Sequence, residues 1–144
     1  MAVSKREEAL ARVASRLGTI TNVTVLRTPN FDLGLSDLPA VVLYDGEETV
    51  DDLQAGILNI RTACSVVVVV RAEQDKLGTT LNALHARVRQ TLGADPTLDQ
   101  AVSFVAYRGT DEPVFVTDEV PHAIMALNYE ILRQEAEFNP FAYV

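Results

Sequence analysis

The stretch from Gly56 to Arg71, GILNIRTACSVVVVVR, constrains the fold more than any other part of the chain. Val and Ile are β-branched, and their side chains suit a pleated surface better than a helical turn. The stretch therefore predicts a long central strand that leads into an amphipathic helix. One alternating set of its residues is almost entirely apolar and must face a core. That set comprises Leu58, Ile60, Thr62, Cys64, Val66, Val68 and Val70.

The other alternating set changes character along the same strand. The residues from Asn59 to Ser65 on this face are polar or small, whereas Val67 and Val69 are apolar. The far end of the strand is therefore apolar on both faces and needs a cover. Either a second layer of the same subunit or another subunit supplies it.

Helix signals lie on both sides of the central strand. Ser4 and Glu7 have the spacing of a capping box, and Gly18 is placed to end the helix that they begin. Asp75 is placed to cap a second helix, in which Gly78 delays the start to Thr79 or Thr80 and Gly93 ends the last turn. The apolar stripe of this helix is Leu77, Leu81, Leu84, Val88 and Leu92.

The remaining apolar segments predict strands over 22–27, 40–44, 101–108, 114–117 and 122–134. The first of these is expected at a sheet edge, and the polar RGTDEP connection predicts that 101–108 and 114–117 pair as antiparallel neighbours. The fold class is therefore α+β, a mostly antiparallel sheet with two helices packed on one face. We expect a single domain over 1–144, in which 135–144 is a loose aromatic tail.

Seven apolar residues are candidates for contact with a partner. The loop at 28–38 is more apolar than a solvated loop requires, and its side chains either tuck back onto the domain or dock on a neighbour. The aromatic tail has the same two alternatives. The candidates are Phe31, Leu33, Val67, Val69, Phe138, Phe141 and Tyr143.

The segment DGEETVDDLQAG, which follows the strand at 40–44, is strongly acidic. Its carboxylates lack the regular spacing of a calcium loop, so we interpret it as a solvated acidic turn. The whole chain has a formal net charge of −8. That charge argues against a surface that grips nucleic acid, because phosphate binding requires clustered Lys and Arg.

Motifs for catalysis, metal binding and cofactor binding are missing from the sequence. His85 and His122 have no Cys, Asp or Glu at metal-ligand spacing, and Cys64 lies on the apolar face of the central strand. There is no nucleophile elbow, phosphate-binding glycine loop or Cys-x-x-Cys pair. These features predict a non-enzymatic protein without cofactor or metal. The charged N-terminus and the lack of an apolar run of ~20 residues predict cytoplasmic folding without a membrane segment.

The ordered set of features resembles one family, the tail terminator proteins of long-tailed bacteriophages, which include the minor tail protein U of lambda-like phages. The resemblance begins with the capped N-terminal helix, LPAVVLYDGEE and the valine-rich strand. It continues through LNALHARVRQTL, ADPTLDQAVSFV and ALNYEILRQ, and so spans nearly the whole chain.

This resemblance implies a ring, in the family a hexamer, that caps the tail tube, stops its polymerisation and provides the surface on which the head docks. The implied partners are further copies of the chain, the tail tube protein and a head-completion or connector protein. The implied location is the head-proximal end of the virion tail, after assembly in the cytoplasm of a bacterial host. DNA passes through without specific binding, and the candidate acidic residues of the lumen are Glu47, Glu48, Asp51 and Asp52.

Two other classes fit parts of the same pattern. Another neck protein, for head completion or head–tail joining, shares the small size and the ring assembly. A regulatory module that binds a small ligand also uses an antiparallel sheet backed by helices, and it predicts a dimer with a cleft. A hydrolytic enzyme lacks every required constellation.

Overall fold

The computed structural model describes residues 3–27, 34 and 37–141. Two α-helices and six strands follow one another in this part of the chain. A single 3₁₀ turn, Gln74–Lys76, precedes the second helix. In chain order the elements are α1 (Lys5–Leu17), β1 (Thr24–Arg27), β2 (Ala40–Gln54), β3 (Ile57–Arg71), α2 (Leu77–Gly93), β4 (Phe104–Thr110), β5 (Val114–Val116) and β6 (His122–Ala136).

The six strands form one sheet in the order β1-β2-β3-β6-β4, and β5 also pairs with β6. Only the β1–β2 pair is parallel, so the predicted α+β fold with a mostly antiparallel sheet is confirmed. The central position of β3 and the edge position of β1 are also as predicted.

The predicted pairing of β4 with β5 is wrong. Both strands pair with β6, β4 along the stretch Leu127–Leu132 and β5 along His122–Ile124. The physical reason is the length of β6, which is 15 residues and leaves room on one edge for two short strands end to end. β4 itself runs over Phe104–Thr110, shifted towards the C-terminus from the predicted 101–108.

The core lies where the two helices meet the sheet. The buried residues of α1 and α2 belong to the same hydrophobic cluster as the apolar residues of β2, β3 and β6. Cys64, Val66, Val68 and Val70 are buried in this cluster, as the alternation along β3 predicts. Burial, with a smaller effect of the Asp45 carboxylate, raises the pKa of Cys64 to about 12, so the thiol stays protonated at neutral pH.

The start of α1 is as predicted, whereas that of α2 is not. The Ser4 hydroxyl accepts a hydrogen bond from the Glu7 N–H at 3.1 Å, but the Glu7 carboxylate binds Arg27 rather than reaching back. The second helix begins at Leu77, earlier than predicted, and no side chain caps it. Leu77 is fully buried, and this burial offsets the low helix propensity of Gly78.

The acidic segment after the predicted strand at 40–44 is the outer half of β2, so its interpretation as a turn is wrong. β2 continues to Gln54 through two register shifts and pairs with β3 along its whole length. The residues are exposed, as predicted. Charged residues are tolerated here because β3 supplies the backbone hydrogen bonds and the side chains stand in water. The turn is reduced to two residues, Ala55 and Gly56.

We expect Ala55→Asn to raise the free energy of unfolding by about 0.5–1 kcal/mol. Ala55 and Gly56 have φ angles of 54° and 80°, as a two-residue type I′ hairpin turn requires. Asn tolerates this left-handed conformation better than Ala does, whereas a β-branched residue is strained in it. Ala55→Val is the matched control and should lower the free energy of unfolding. Urea unfolding of the two variants measures the difference in stability between them. Equal midpoints for the two variants would contradict this account of the turn.

The connection between α2 and β4 contains three consecutive left-handed residues. Leu98, Asp99 and Gln100 have φ angles of 51°, 59° and 66°. Asp95 holds this loop, because its carboxylate accepts hydrogen bonds from the Thr97 hydroxyl at 2.8 Å and the Asp99 N–H at 2.8 Å. Arg16 of α1 reaches the same carboxylate at 2.9 Å. The loop is thereby tied to α1, and the Leu98 side chain reaches the core.

We expect Asp95 to contribute stability that depends on pH. The hydrogen bonds from Asp99 and Thr97, together with Arg16, lower the pKa of Asp95 from 3.8 to about 2. A lowered pKa in the folded state means that the contribution is complete above the unfolded value and is lost as the pH falls towards about 2. In urea unfolding, the deficit of Asp95→Asn should thus be largest at about pH 6 and shrink below about pH 4. A deficit that does not change with pH would rule this linkage out.

Candidate subunit-association surface

The outer ends of β2, β3 and β6 form a three-stranded extension of the sheet. In it, Val50 of β2 lies opposite Ile60 of β3, and Leu53 lies opposite Leu58. Residues that face each other across an antiparallel pair project from the same face, so these four apolar side chains share one side of the extension. Ile60 is buried, whereas Val50 and Leu53 are not.

The C-terminal segment returns along this extension towards α1. β6 ends at Ala136, so residues 135 and 136 belong to a strand and not to the predicted loose tail. After the strand, the Glu137 N–H donates to the Gly56 carbonyl at 2.8 Å. The Lys5 N–H, at the start of α1, donates to the Pro140 carbonyl at 2.9 Å. Backbone hydrogen bonds therefore hold the segment at the hairpin turn and at α1.

Four large apolar side chains are exposed on these elements, and we refer to them as the tip patch. Val50 is 50% exposed, Leu53 49%, Phe138 91% and Phe141 50%. Isolated exposed apolar residues are ordinary, but several on neighbouring segments at one end of a domain indicate a contact surface. Phe138 and Phe141 were predicted as contact residues, whereas Val50 and Leu53 were not. Val50 and Leu53 are the two large apolar residues of an otherwise polar segment, and the interpretation of that segment as a turn left them out.

A buried ion cluster lies on the same face as Val50 and Leu53. The side chain of Arg133 is 1% exposed and donates to Glu48 at 2.7 Å and to Glu135 at 3.2 Å. It also donates to the hydroxyl of Thr62, a buried residue. The cluster therefore joins β2, β3 and β6 at the base of the extension.

Glu48 is an internal partner in this cluster. Its partial burial raises its pKa, but the hydrogen bond and charge of Arg133 outweigh burial, and Arg6 adds to them. The net effect is a pKa below the usual value, so Glu48 is ionised at neutral pH. A carboxylate that neutralises a buried guanidinium is not available to line a channel as a free charge.

The other three candidate lumen residues differ in their surroundings. Asp51 forms an ion pair with Arg61, and Asp52 accepts a hydrogen bond from Asn59. Glu47 is exposed and has no ion-pair partner among the residues that the structure describes. Glu48 lies opposite Thr62 and Asp52 opposite Asn59, so the acidic residues are divided between the two faces of the hairpin. Their role at a lumen stays a prediction.

The doubly apolar end of β3 lies far from the tip patch. Val69 is 8% exposed within the single chain, and Val67 is half-buried, so the subunit itself covers most of this end. β5 lies alongside, because Ile124 of β6 pairs with both Val69 and Val114. Val114 and Phe115 are about half exposed. The register places Val114 on the same face as Val67 and Phe115 on the opposite face, so we refer to Val67 and Val114 as the β5 patch.

Three of the predicted contact residues, Phe31, Leu33 and Tyr143, lie outside the described residues. The loop and the end of the tail that carry them were singled out by their apolar composition alone. Their roles in contacts stay predictions.

Neither a metal site nor a membrane-spanning helix is found within residues 3–27, 34 and 37–141. No group of three or more His, Cys, Asp and Glu residues in these ranges is arranged to hold a metal ion. No helix there is long and apolar enough to cross a bilayer. The candidate surfaces among the described residues are the tip patch and the β5 patch, and their role in contacts stays a prediction.

The similarity of this chain to known proteins lies among solved structures. No family model matches the sequence, and no curated protein matches it. Among solved structures, a chain of the virion of a native gene transfer agent particle has a TM-score of 0.40 and 15% sequence identity. The alignment covers 93% of this chain and 92% of that chain. At this TM-score and identity, the similarity is too low to assign a family or a function.

Proposed function

We propose that this chain is a structural protein of a phage virion, a tail terminator that closes into a ring on the end of the tail tube. The single observation that carries the proposal is the tip patch, which exposes more apolar surface at one end of the sheet than an isolated subunit needs. The sequence resemblance to tail terminators names the assembly in which such a surface would be used. In the proposed ring, both helices of a subunit pack on one face of its sheet. The three-stranded extension of the sheet reaches a neighbouring copy.

Ring closure requires two different surfaces on each subunit. A head-to-tail contact between identical chains is heterologous, so a patch on one copy must meet another patch on the next. The tip patch and the β5 patch fulfil this condition, because they lie at opposite ends of β3. Leu58, which pairs with Leu53 of the tip patch, is nine positions from Val67 along the strand, which corresponds to about 30 Å at the rise of an extended chain. We infer that the tip patch of one copy packs on the β5 patch of its neighbour.

The charge of the subunit supports the same role. With a net charge of −8, copies arranged around a channel repel the DNA that passes through. Glu47 is the best remaining candidate for a lumen side chain, since its three acidic neighbours have partners within the chain. The tail tube protein and a head-completion or connector protein are the proposed contacts at the two ends of the ring.

Charge insertion in the tip patch tests the proposed contact. We expect Leu53→Lys combined with Phe138→Lys to abolish ring formation, because two charges in an apolar interface lose hydration without gaining partners. Ala86→Lys is the matched control, since position 86 lies on the exposed side of α2. Sedimentation velocity of the three proteins at equal concentration gives the result. Rings in the double variant, or their loss in the control, would contradict the proposed interface.

The choice between a tail terminator and another neck protein depends on the binding partner. A tail terminator binds the ends of tail tubes, whereas a head-completion protein binds the portal of a filled head. Co-sedimentation with purified tubes and with tail-less heads separates the two. Binding to heads alone would show that the protein is a head-completion protein and not a tail terminator.

A further inference from the structure

A small cavity lies between the C-terminal half of α2 and the sheet, outside the surfaces described above. Its volume is ≈ 180 Å³. The apolar part of its lining includes Leu92, Pro96, Phe104 and Val105. Two polar side chains, Arg89 and Tyr129, also line it, and Tyr107 lies between them. Phe104, at the rim, is 47% exposed.

Arg89 is unusual among the basic residues of this acidic chain. Nine of the twelve Lys and Arg residues form ion pairs within the chain. Arg89 forms none with the residues that the structure describes. Its guanidinium instead stacks on the ring of Tyr107, 4.0 Å from the ring centroid. Stacking holds the plane of the guanidinium while its N–H donors at the edge stay free for an acceptor.

Tyr129 supplies a second donor without a partner. The residue is 4% exposed, and its hydroxyl forms no hydrogen bond within the described part of the chain. A buried polar group without a partner lowers stability, and a hydroxyl that lines a cavity can donate to a group that occupies it. Burial raises the pKa of Tyr129 to about 12, so the hydroxyl keeps its proton at neutral pH and can donate.

Tyr107 is held in place between these two groups. Its ring centroid is 5.4 Å from that of Tyr129, and its hydroxyl is hydrogen-bonded to the Thr110 hydroxyl. His85 binds the same threonine hydroxyl at 3.0 Å. The stacking platform under Arg89 is therefore fixed before any ligand arrives, which reduces the entropy lost on binding.

We propose that this cavity is a binding site for a carboxylate carried on a short apolar stem. The carboxylate accepts hydrogen bonds from the Arg89 guanidinium and the Tyr129 hydroxyl, while the stem occupies the apolar wall formed by Leu92, Pro96 and Val105. This assignment uses none of the tip-patch residues, so it stands or falls separately from the proposed ring. The carboxylate belongs either to a free small molecule or to an acidic side chain of another copy of this chain.

Titration of the ¹⁵N-labelled full chain with benzoate tests the site by NMR. We expect saturable shifts of the amides of Leu92, Phe104 and Tyr107, with a dissociation constant on the order of 1 mM. Benzamide, which has the same shape without the charge, should bind at least about tenfold more weakly. Arg89→Gln should weaken benzoate binding by about tenfold, and Arg87→Gln, two residues away on α2, should leave it unchanged.

Tyr129→Phe separates recognition from folding. Because the hydroxyl has no partner in the described residues, its removal should not lower the free energy of unfolding without ligand, while benzoate binding should weaken several-fold.

Sedimentation velocity of wild type and Arg89→Gln identifies the source of the carboxylate. Weaker self-association of Arg89→Gln, reproduced in the wild type by added benzoate, assigns it to a neighbouring copy, and unchanged association assigns it to a free ligand. The proposal is overturned if benzoate and benzamide bind equally, or if neither benzoate binding nor self-association depends on Arg89.

Discussion

Replacing Arg133 by methionine is expected to lower the free energy of unfolding by about 3–5 kcal/mol. The Arg133 side chain is almost fully buried and is shared by Glu48 and Glu135. Its removal leaves Glu135 as a buried carboxylate without a counter-charge, and Thr62 loses its donor. Urea unfolding at neutral pH and a fixed protein concentration measures the loss, because self-association would otherwise contribute to stability.

Two further variants show whether the lost stability comes from the uncompensated charge. In the Arg133→Met/Glu135→Met double variant the buried charges are removed together, and at least half of the stability should return. Arg108→Met breaks an ion pair with Glu130 at an exposed position, and it should cost less than about 1 kcal/mol. If the free energy of unfolding of Arg133→Met lies within about 1 kcal/mol of the wild-type value, the ion cluster is not part of the folded core.

Gly46→Ala is expected to lower the free energy of unfolding by about 1–3 kcal/mol. The strands should loosen at the base of the extension, where Gly46 lies. A Cβ at position 46 would lie 2.5 Å from the Ala63 carbonyl oxygen and 2.9 Å from its carbonyl carbon. Both atoms belong to the backbone of β3, so β2 and β3 would have to separate at the register shift between Asp45 and Glu48. Hydrogen exchange should locate the loosened amides in these two strands.

Gly78→Ala is the matched control for this substitution. A Cβ at Gly78 meets nothing within 4 Å, and the residue lies in the first turn of α2. Alanine has the higher helix propensity, so this variant should be more stable than the wild type by up to about 1 kcal/mol. Opposite signs for the two variants would support the close strand approach at Gly46. Two variants of equal stability would argue against it.

The sequence was most informative where one face of an element is buried in a continuous core. The valine-rich alternation of β3 and the stripe of α2 each report burial on one side. β3 forms as predicted, and the predicted stripe of α2 is buried although the helix begins earlier than predicted. The outer half of β2 lacks such a signal, because its residues are exposed on both faces and its strand conformation comes from pairing with β3. Pairing between distant segments also decides the positions of β4 and β5, which local patterns cannot predict.

The candidate contact surface was predictable only in part. Phe138 and Phe141 are large aromatic residues in a segment without an element of its own, and composition alone singled them out. Val50 and Leu53 join them through the fold of the hairpin and the return of the C-terminal segment to α1. The partnership of Glu48 with Arg133 spans 85 positions in sequence, so the pairing that removes Glu48 from the acidic surface could not be read from spacing.

Electron microscopy of the purified protein, alone and mixed with growing tail tubes, tests the central claim most directly. We expect uniform closed rings, and tubes that stop growing once a ring occupies their end. A chain that stays monomeric at every concentration and leaves tube growth unchanged would contradict the account.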